Sequence, residues 1–154
     1  MVRYAIEGDI DAIAIPARQA PGVADDLWHH TCCEAFVAGS DASGYVEFNF
    51  SPSGKWSVYR FARQRERASP AIAADAFDPH ITVCRGETKL ELDAVIRLER
   101  LWPRRAGATI RMGLSAVIED KHGTLSYWAL KHPLDQPDFH HPDSFALELD
   151  EARH

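Results

Sequence analysis

Between Trp28 and Trp56 the chain carries Glu34, Glu47 and Asn49, with Cys32 and Cys33 beside the first carboxylate and Tyr59 just beyond the second indole. Carboxylates and amides form paired hydrogen bonds to vicinal hydroxyls. An indole or phenol ring can cover the apolar C–H face of a pyranose. Together these groups suit a polar ligand with flat apolar faces, and sugars are such ligands. Two carboxyls are also what acid/base cleavage of a glycosidic bond requires, although nothing in the sequence sets the Glu34–Glu47 separation. A plainer reading uses the same residues structurally: Glu34 and Glu47 pair with Arg60 or Arg63, and Trp28 and Trp56 cap a core. A Cys32 or Cys33 nucleophile is conceivable, but unpaired cysteines in a sheet are usually packed side chains.

A second cluster runs from Lys131 to Pro142 and holds His132, Asp138, His140 and His141. Its three prolines forbid regular structure, so it reads as a loop at the end of a sheet, where sites are often carried. The imidazoles and Asp138 are metal-ligating types, yet their spacing matches no standard zinc pattern and no cysteine pair supports it. No metal is expected. The loop instead either ties itself down through backbone hydrogen bonds or walls a pocket beside Glu34 and Glu47, with His132, Asp138 and His140 as candidate ligand contacts. There is no Gly-x-Ser-x-Gly elbow, phosphate-binding loop or dinucleotide fingerprint.

The elements that position these groups are strands. Leu90, Leu92, Ala94 and Ile96 alternate with Lys89, Glu91, Asp93 and Arg97, as in a half-buried antiparallel strand. Ile110, Met112, Leu114, Ala116 and Ile118 repeat the pattern, and Asp120-Lys121-His122-Gly123 then reads as a hairpin loop into Thr124–Leu130. Earlier strands are expected at Cys32–Val37, Tyr45–Phe50 and Lys55–Phe61, joined by Gly39–Gly44 and by Ser51-Pro52-Ser53-Gly54. Others are expected at Arg3–Ile15, Ile81–Cys84 and Phe145–Leu149, with short helical turns near Ala71–Ala76 and Leu98–Trp102. This spacing predicts an all-β fold, a β-sandwich of two antiparallel sheets, with an up-and-down barrel as the alternative.

Alternation assigns faces. Val46, Phe48 and Phe50 oppose Tyr45, Glu47 and Asn49. Cys33, Ala35 and Val37 form a small apolar set suited to a core, which places Glu34 and Phe36 on the same outer face as Glu47 and Asn49. In the third strand Trp56, Val58 and Arg60 oppose Ser57, Tyr59 and Phe61; both sets hold aromatics, so the solvent side stays open.

The chain has 154 residues, 45% of them hydrophobic and 26% charged, the proportions of one globular domain spanning 1–154. A net charge of −6 argues against nucleic acid, since neutralising phosphates needs a basic surface. The basic run Arg60–Arg67 is broken by Glu66 and reads as a solvated edge. The first residues do not read as a signal peptide, no window approaches the roughly 18 apolar residues of a membrane span, and the odd set Cys32, Cys33 and Cys84 reads as reduced thiols. A cytoplasmic protein is expected, with a small-molecule partner and neither nucleic acid nor membrane.

The combined pattern is a specific one: Trp28-x-x-Thr31-Cys32-x-Glu34-x-Phe36, Tyr45-x-Glu47-x-Asn49-Phe50-Ser51-Pro52-x-Gly54-x-Trp56-x-x-Tyr59, Ser126-Tyr127-Trp128-Ala129-Leu130 and Pro137-Asp138-Phe139-His140. It resembles the bacterial DOMON-like proteins, relatives of family 9 carbohydrate-binding modules. The resemblance implies a sandwich with a ligand site on one concave face, and a non-catalytic role. It places Trp28, Glu34, Glu47, Asn49, Trp56 and Trp128 nearest that site. Such relatives bind sugars between aromatic side chains, or bind haem b through an axial Met with His or Lys; here the only internal methionine, Met112, falls on an apolar strand face. One subgroup bears the label of a peptidoglycan-precursor reductase, but this chain has no room for that enzyme's flavin-binding domains, so no reductase activity is expected.

Overall fold

The computed structural model describes residues 1–39, 44–68, 73, 77–101 and 109–150. Its strands are β1 (Val2–Glu7), β2 (Gly22–Val23), β3 (Cys32–Gly39), β4 (Tyr45–Phe50), β5 (Lys55–Arg63), β6 (Glu66–Arg67), β7 (His80–Arg85), β8 (Lys89–Val95), β9 (Thr109–Glu119), β10 (Leu125–Ala129) and β11 (Leu147–Asp150). They form two sheets, and the fold is the expected all-β sandwich. The small sheet has the order β1-β8-β7. The large one runs β10-β9-β3-β4-β5-β2, with β11 also on β9 and β6 also on β5. Every pairing is antiparallel except β2 with β5. The eleven-residue β9 serves two strands along one edge: β10 pairs with its Ser115–Glu119 half and β11 with Thr109–Met112.

Turn chemistry sets the β4–β5 register. Gly54 adopts φ +93°, a left-handed value open to glycine. Ser53 donates its N–H to Ser51 Oγ at 3.1 Å, and Gly54 N–H donates to the Ser51 carbonyl at 2.9 Å. The core lies between the sheets. From the large sheet it takes Cys33, Ala35, Val37, Val46, Phe48, Phe50, Val58, Met112 and Ala116; from the small one it takes Leu92 and Ala94. Phe77 closes edge-on against Phe48, with ring centroids 5.7 Å apart.

Several expectations need correction. Trp56 pairs with Phe50, points into this core and is only 3% exposed, so its indole is packing rather than a ligand platform. The expected Arg3–Ile15 strand stops at Glu7, because Gly8 takes φ +142° and Asp9 caps a short 3₁₀ turn over Ile10–Ala12 through Asp11 N–H. The last strand begins at Leu147 rather than Phe145, since Pro142–Ser144 forms another such turn. The Leu98–Trp102 helical turn is a 3₁₀ turn over Leu98–Arg100; Trp102, the Ser40–Ser43 hairpin tip and all of Ala71–Ala76 but Ala73 lie outside the described residues. Among the described residues no helix is long and apolar enough to cross a membrane.

Phe48 is fully buried between the sheets, whereas Trp128 is 64% exposed. Phe48→Ala is expected to lower stability by about 3–5 kcal/mol and Trp128→Ala by no more than about 0.5 kcal/mol, read from urea unfolding curves.

Candidate functional site

The face of the large sheet turned away from the core has a closed end and an open end. At the closed end Phe36, Tyr45, Phe61 and Phe145 form a second apolar cluster. Tyr45 stacks on Phe61 at 4.9 Å, and the edge of His140 meets Phe36 at 5.1 Å and Phe61 at 5.0 Å. Gly113 permits this lid: a Cβ there would lie 3.1 Å from both Phe145 Cδ1 and the Ser144 carbonyl oxygen.

Asp138 holds the covering segment in place. Its carboxylate accepts from Gln64 Nε2 at 2.7 Å, Arg65 Nη2 at 2.9 Å and the His140 N–H at 3.2 Å. Its own carbonyl accepts from Ser144 Oγ at 2.9 Å. Asp138 is therefore the staple between the 131–142 loop and the β5–β6 turn.

The open end is a cleft of about 770 Å³. Glu34 and Glu47 form its floor, with Trp28, Tyr59, Phe61, Val117, Tyr127, Phe139 and His140 around them and Arg65, Arg67, Gln136 and Pro137 at its margins. The register explains the grouping. Glu34 faces Ser115 on β9 and Asn49 on β4, and Glu47 faces Phe36 and Tyr59. Tyr127 faces Val117 and so shares this side.

Both carboxyls are deeply set, Glu34 at 4% and Glu47 at 5% exposure. Ser115 Oγ donates to Glu34 Oε2 at 3.2 Å. Burial, reinforced by the neighbouring Glu47 charge and opposed by this hydrogen bond, pushes Glu34 up to about 8. It is thus a neutral acid at pH 7, able to donate as well as accept. Glu47 is also raised by burial, but Asn49, Arg67 and Arg65 counter the shift. Asn49 Nδ2 donates to Glu47 Oε1 at 2.7 Å.

His140 is pushed down to about 4, first by burial and then by Arg65, so it is neutral. Tyr45 Oη accepts the Arg65 N–H at 3.1 Å and lies 2.6 Å from His140 Nδ1. With the phenol proton donated to Nδ1, the imidazole proton sits on Nε2, 3.6 Å from Glu47 Oε2 and too far for a good hydrogen bond. That N–H remains available to a ligand.

The structure brings Trp28, Glu34, Glu47 and His140 together at the cleft. It does not bring the other expected site residues there. Asn49 is fully buried beside Glu47 on the same face of β4 and orients it. Trp56 lies on the core side. Trp128 faces Ala116, on the side opposite Glu34, and borders a separate groove along β1. His132 is exposed, with its ring 6.1 Å from Phe139. Asp138 is engaged behind the loop. No group of three or more His, Cys, Asp or Glu side chains among the described residues could hold a metal. The residues do not suit haem either, because Met112 is buried in the intersheet core, away from the cleft. Cys32 and Cys33 are buried; burial holds Cys32 well above the usual thiol range and pushes Cys33 up to about 12, so neither of these two is a thiolate nucleophile.

Tyr127, Tyr59, Phe139 and Arg67 line the cleft without being among the expected site residues. Strand alternation puts Tyr127 and Trp128 on opposite sides, and only the pairing with β9 shows which side holds Glu34. Tyr59 was legible only as one of two aromatic sets whose orientation stayed open.

A two-sheet β-sandwich with a polar-floored, aromatic-walled cleft is thus the class of protein the chain forms. No protein-family model matches it, and no curated protein matches its sequence. Among solved structures it is similar to a presumed carbohydrate-binding protein from Bacteroides uniformis ATCC 8492, with a TM-score of 0.65 and 19% identity. The match covers 96% of this chain and 71% of that one. At this identity the likeness establishes a shared fold.

The Glu34 shift has a stability consequence. Its folded value of about 8 lies above the ordinary 4.5, so unfolding releases a proton and stability falls as pH rises through this window. His140 has the opposite sign: its lowered value removes stability as pH falls below 6.5 toward 4. The Glu34 effect is therefore clearest between 6.5 and 8. Glu34→Gln is expected to abolish most of the wild-type loss across that range and to be the more stable protein at pH 8, by on the order of a few kcal/mol. Parallel denaturation curves for both proteins would instead place Glu34 in an ordinary carboxylate environment.

Proposed function

We propose that the protein binds a carbohydrate or sugar-like small molecule in the Glu34–Glu47–Tyr127 cleft and leaves it chemically unchanged. One observation carries the reading: hydrogen-bonding groups on the floor and aromatic rings on the walls share a single opening. Neutral Glu34 both donates and accepts, Glu47 accepts and His140 Nε2 donates, a mixture suited to successive ring hydroxyls. Trp28, Tyr59, Tyr127 and Phe139 offer faces or edges to the C–H surfaces of a sugar ring. The fold shared with the Bacteroides protein described as carbohydrate-binding supports this reading, as does the resemblance to DOMON-like proteins.

One observation favours a second reading, glycoside cleavage: the proton Glu34 retains up to about 8 is what a general acid requires. Binding is the stronger reading because Glu47 is already held by the Asn49 amide and the solved structure that shares the fold is described as carbohydrate-binding.

A glycan array followed by calorimetry on the intact protein tests the proposal. Tyr127→Ala and Glu47→Gln are each expected to weaken the best hit about tenfold or more, equivalent to about 1.4 kcal/mol. Failure to bind any mono-, oligo- or nucleotide-sugar would sink the binding reading. Release of reducing sugar from a bound glycan, lost in Glu34→Gln, would replace it with the hydrolytic one.

A further inference from the structure

Arg67 stands apart from the other charges at the cleft. Asp138 neutralises Arg65 at 2.9 Å, and Glu66, the residue beside Arg67, lies 4.0 Å from Arg63 instead. Among the described residues no carboxylate comes within ion-pair distance of Arg67, and its side chain makes no hydrogen bond. Its guanidinium carbon lies 4.2 Å from the centroid of the Tyr59 ring. Tyr59 is itself tethered, donating its hydroxyl to Asp25 Oδ1 at 2.9 Å. A guanidinium held over a fixed ring has a restricted plane, and its edge N–H groups form a fork that matches a carboxylate or phosphate. The pairing of β6 with β5 puts this fork at the cleft margin: Arg67 faces Phe61, and both residues line the opening.

The rest of the cleft does not repel an anion strongly. Glu34 keeps its proton, His140 is neutral and Arg65 is balanced by Asp138, so Glu47 is the one negative group left on the floor. Glu47 lies within the electrostatic reach of Arg67.

We infer that the cleft selects acidic saccharides, seating a sugar carboxylate on the Arg67 fork beside Tyr59 while ring hydroxyls meet Glu34 and Glu47. The inference rests on the carbohydrate-binding reading and deepens it.

The probes are di- and trisaccharides ending in glucuronate, galacturonate or sialate, each compared with its methyl ester, which keeps the sugar and removes the charge. Calorimetry on the intact protein at low salt should show the acid bound at least tenfold tighter than its ester. Arg67→Gln, a change at an exposed position, should abolish that preference, Arg67→Lys should keep part of it, and raised salt should shrink it. Equal affinity for acid and ester would overturn the inference and leave sugar binding intact. Binding of neutral glycans alone would do the same, as would an acid preference indifferent to Arg67→Gln. Absence of any glycan binding would remove the carbohydrate reading with it.

Discussion

The pairing register of β3 with β4 and β9 holds two carboxylic acids just outside the intersheet core. Side chains alternate with a period of two, so Glu34 and Glu47 lie back to back with Ala35, Phe48 and Leu114. A slip of one residue would drive both carboxyls between the sheets and turn Phe48 and Phe50 out. The cost of such an error is severe on both sides, which makes the register strongly specified. The Ser51–Gly54 turn and the large apolar surface of β4 therefore determine where the acids point, as well as how the sheet holds together.

Having been placed there, the acids change character. A carboxylate removed from water is costly, and the protein lowers that cost in two ways. Glu34 keeps its proton. Glu47 takes the Asn49 amide and the field of two arginines. Two chemically identical side chains thus become a donor–acceptor and an acceptor within one cleft. Ser57 Oγ, beside Asn49 on β5, is the single buried side-chain oxygen or nitrogen among the described residues without a hydrogen-bond partner. The polar layer beneath the cleft is otherwise satisfied, as a layer that orients other groups must be.

The covering loop contributes by packing and polar anchoring together. Aromatic residues from β3, β4 and β5 make a dry seat for Phe145 and His140, and Asp138 ties the chain to the β5–β6 turn. His140 owes both its neutral state and its orientation to this seat. The loop closes one end of the sheet face and leaves the other open, which bounds the cleft without covering its floor.

Much of this was legible from residue order. Period-two alternation disclosed the strands, the sandwich class and the common face of Glu34, Glu47 and Phe36, because those properties depend on neighbours along a single strand. Turn residues such as Gly54 marked the hairpins for the same local reason. Properties that depend on pairing between distant strands were not legible. Trp56 and Trp128 looked like the natural platforms, yet one is core and the other lies on the reverse side; Tyr59 and Tyr127 take the cleft because β4 and β9 pair with them in that phase. Asn49 and Asp138 looked like ligand contacts, yet both are supports, since burial and partners are set by what packs over them. Residue order along each strand settles which groups could do chemistry and which faces they share. Which faces stay open, and which carboxyl keeps its proton, follows from folding, because exposure and local dielectric arise from the assembled sheets rather than from any one strand.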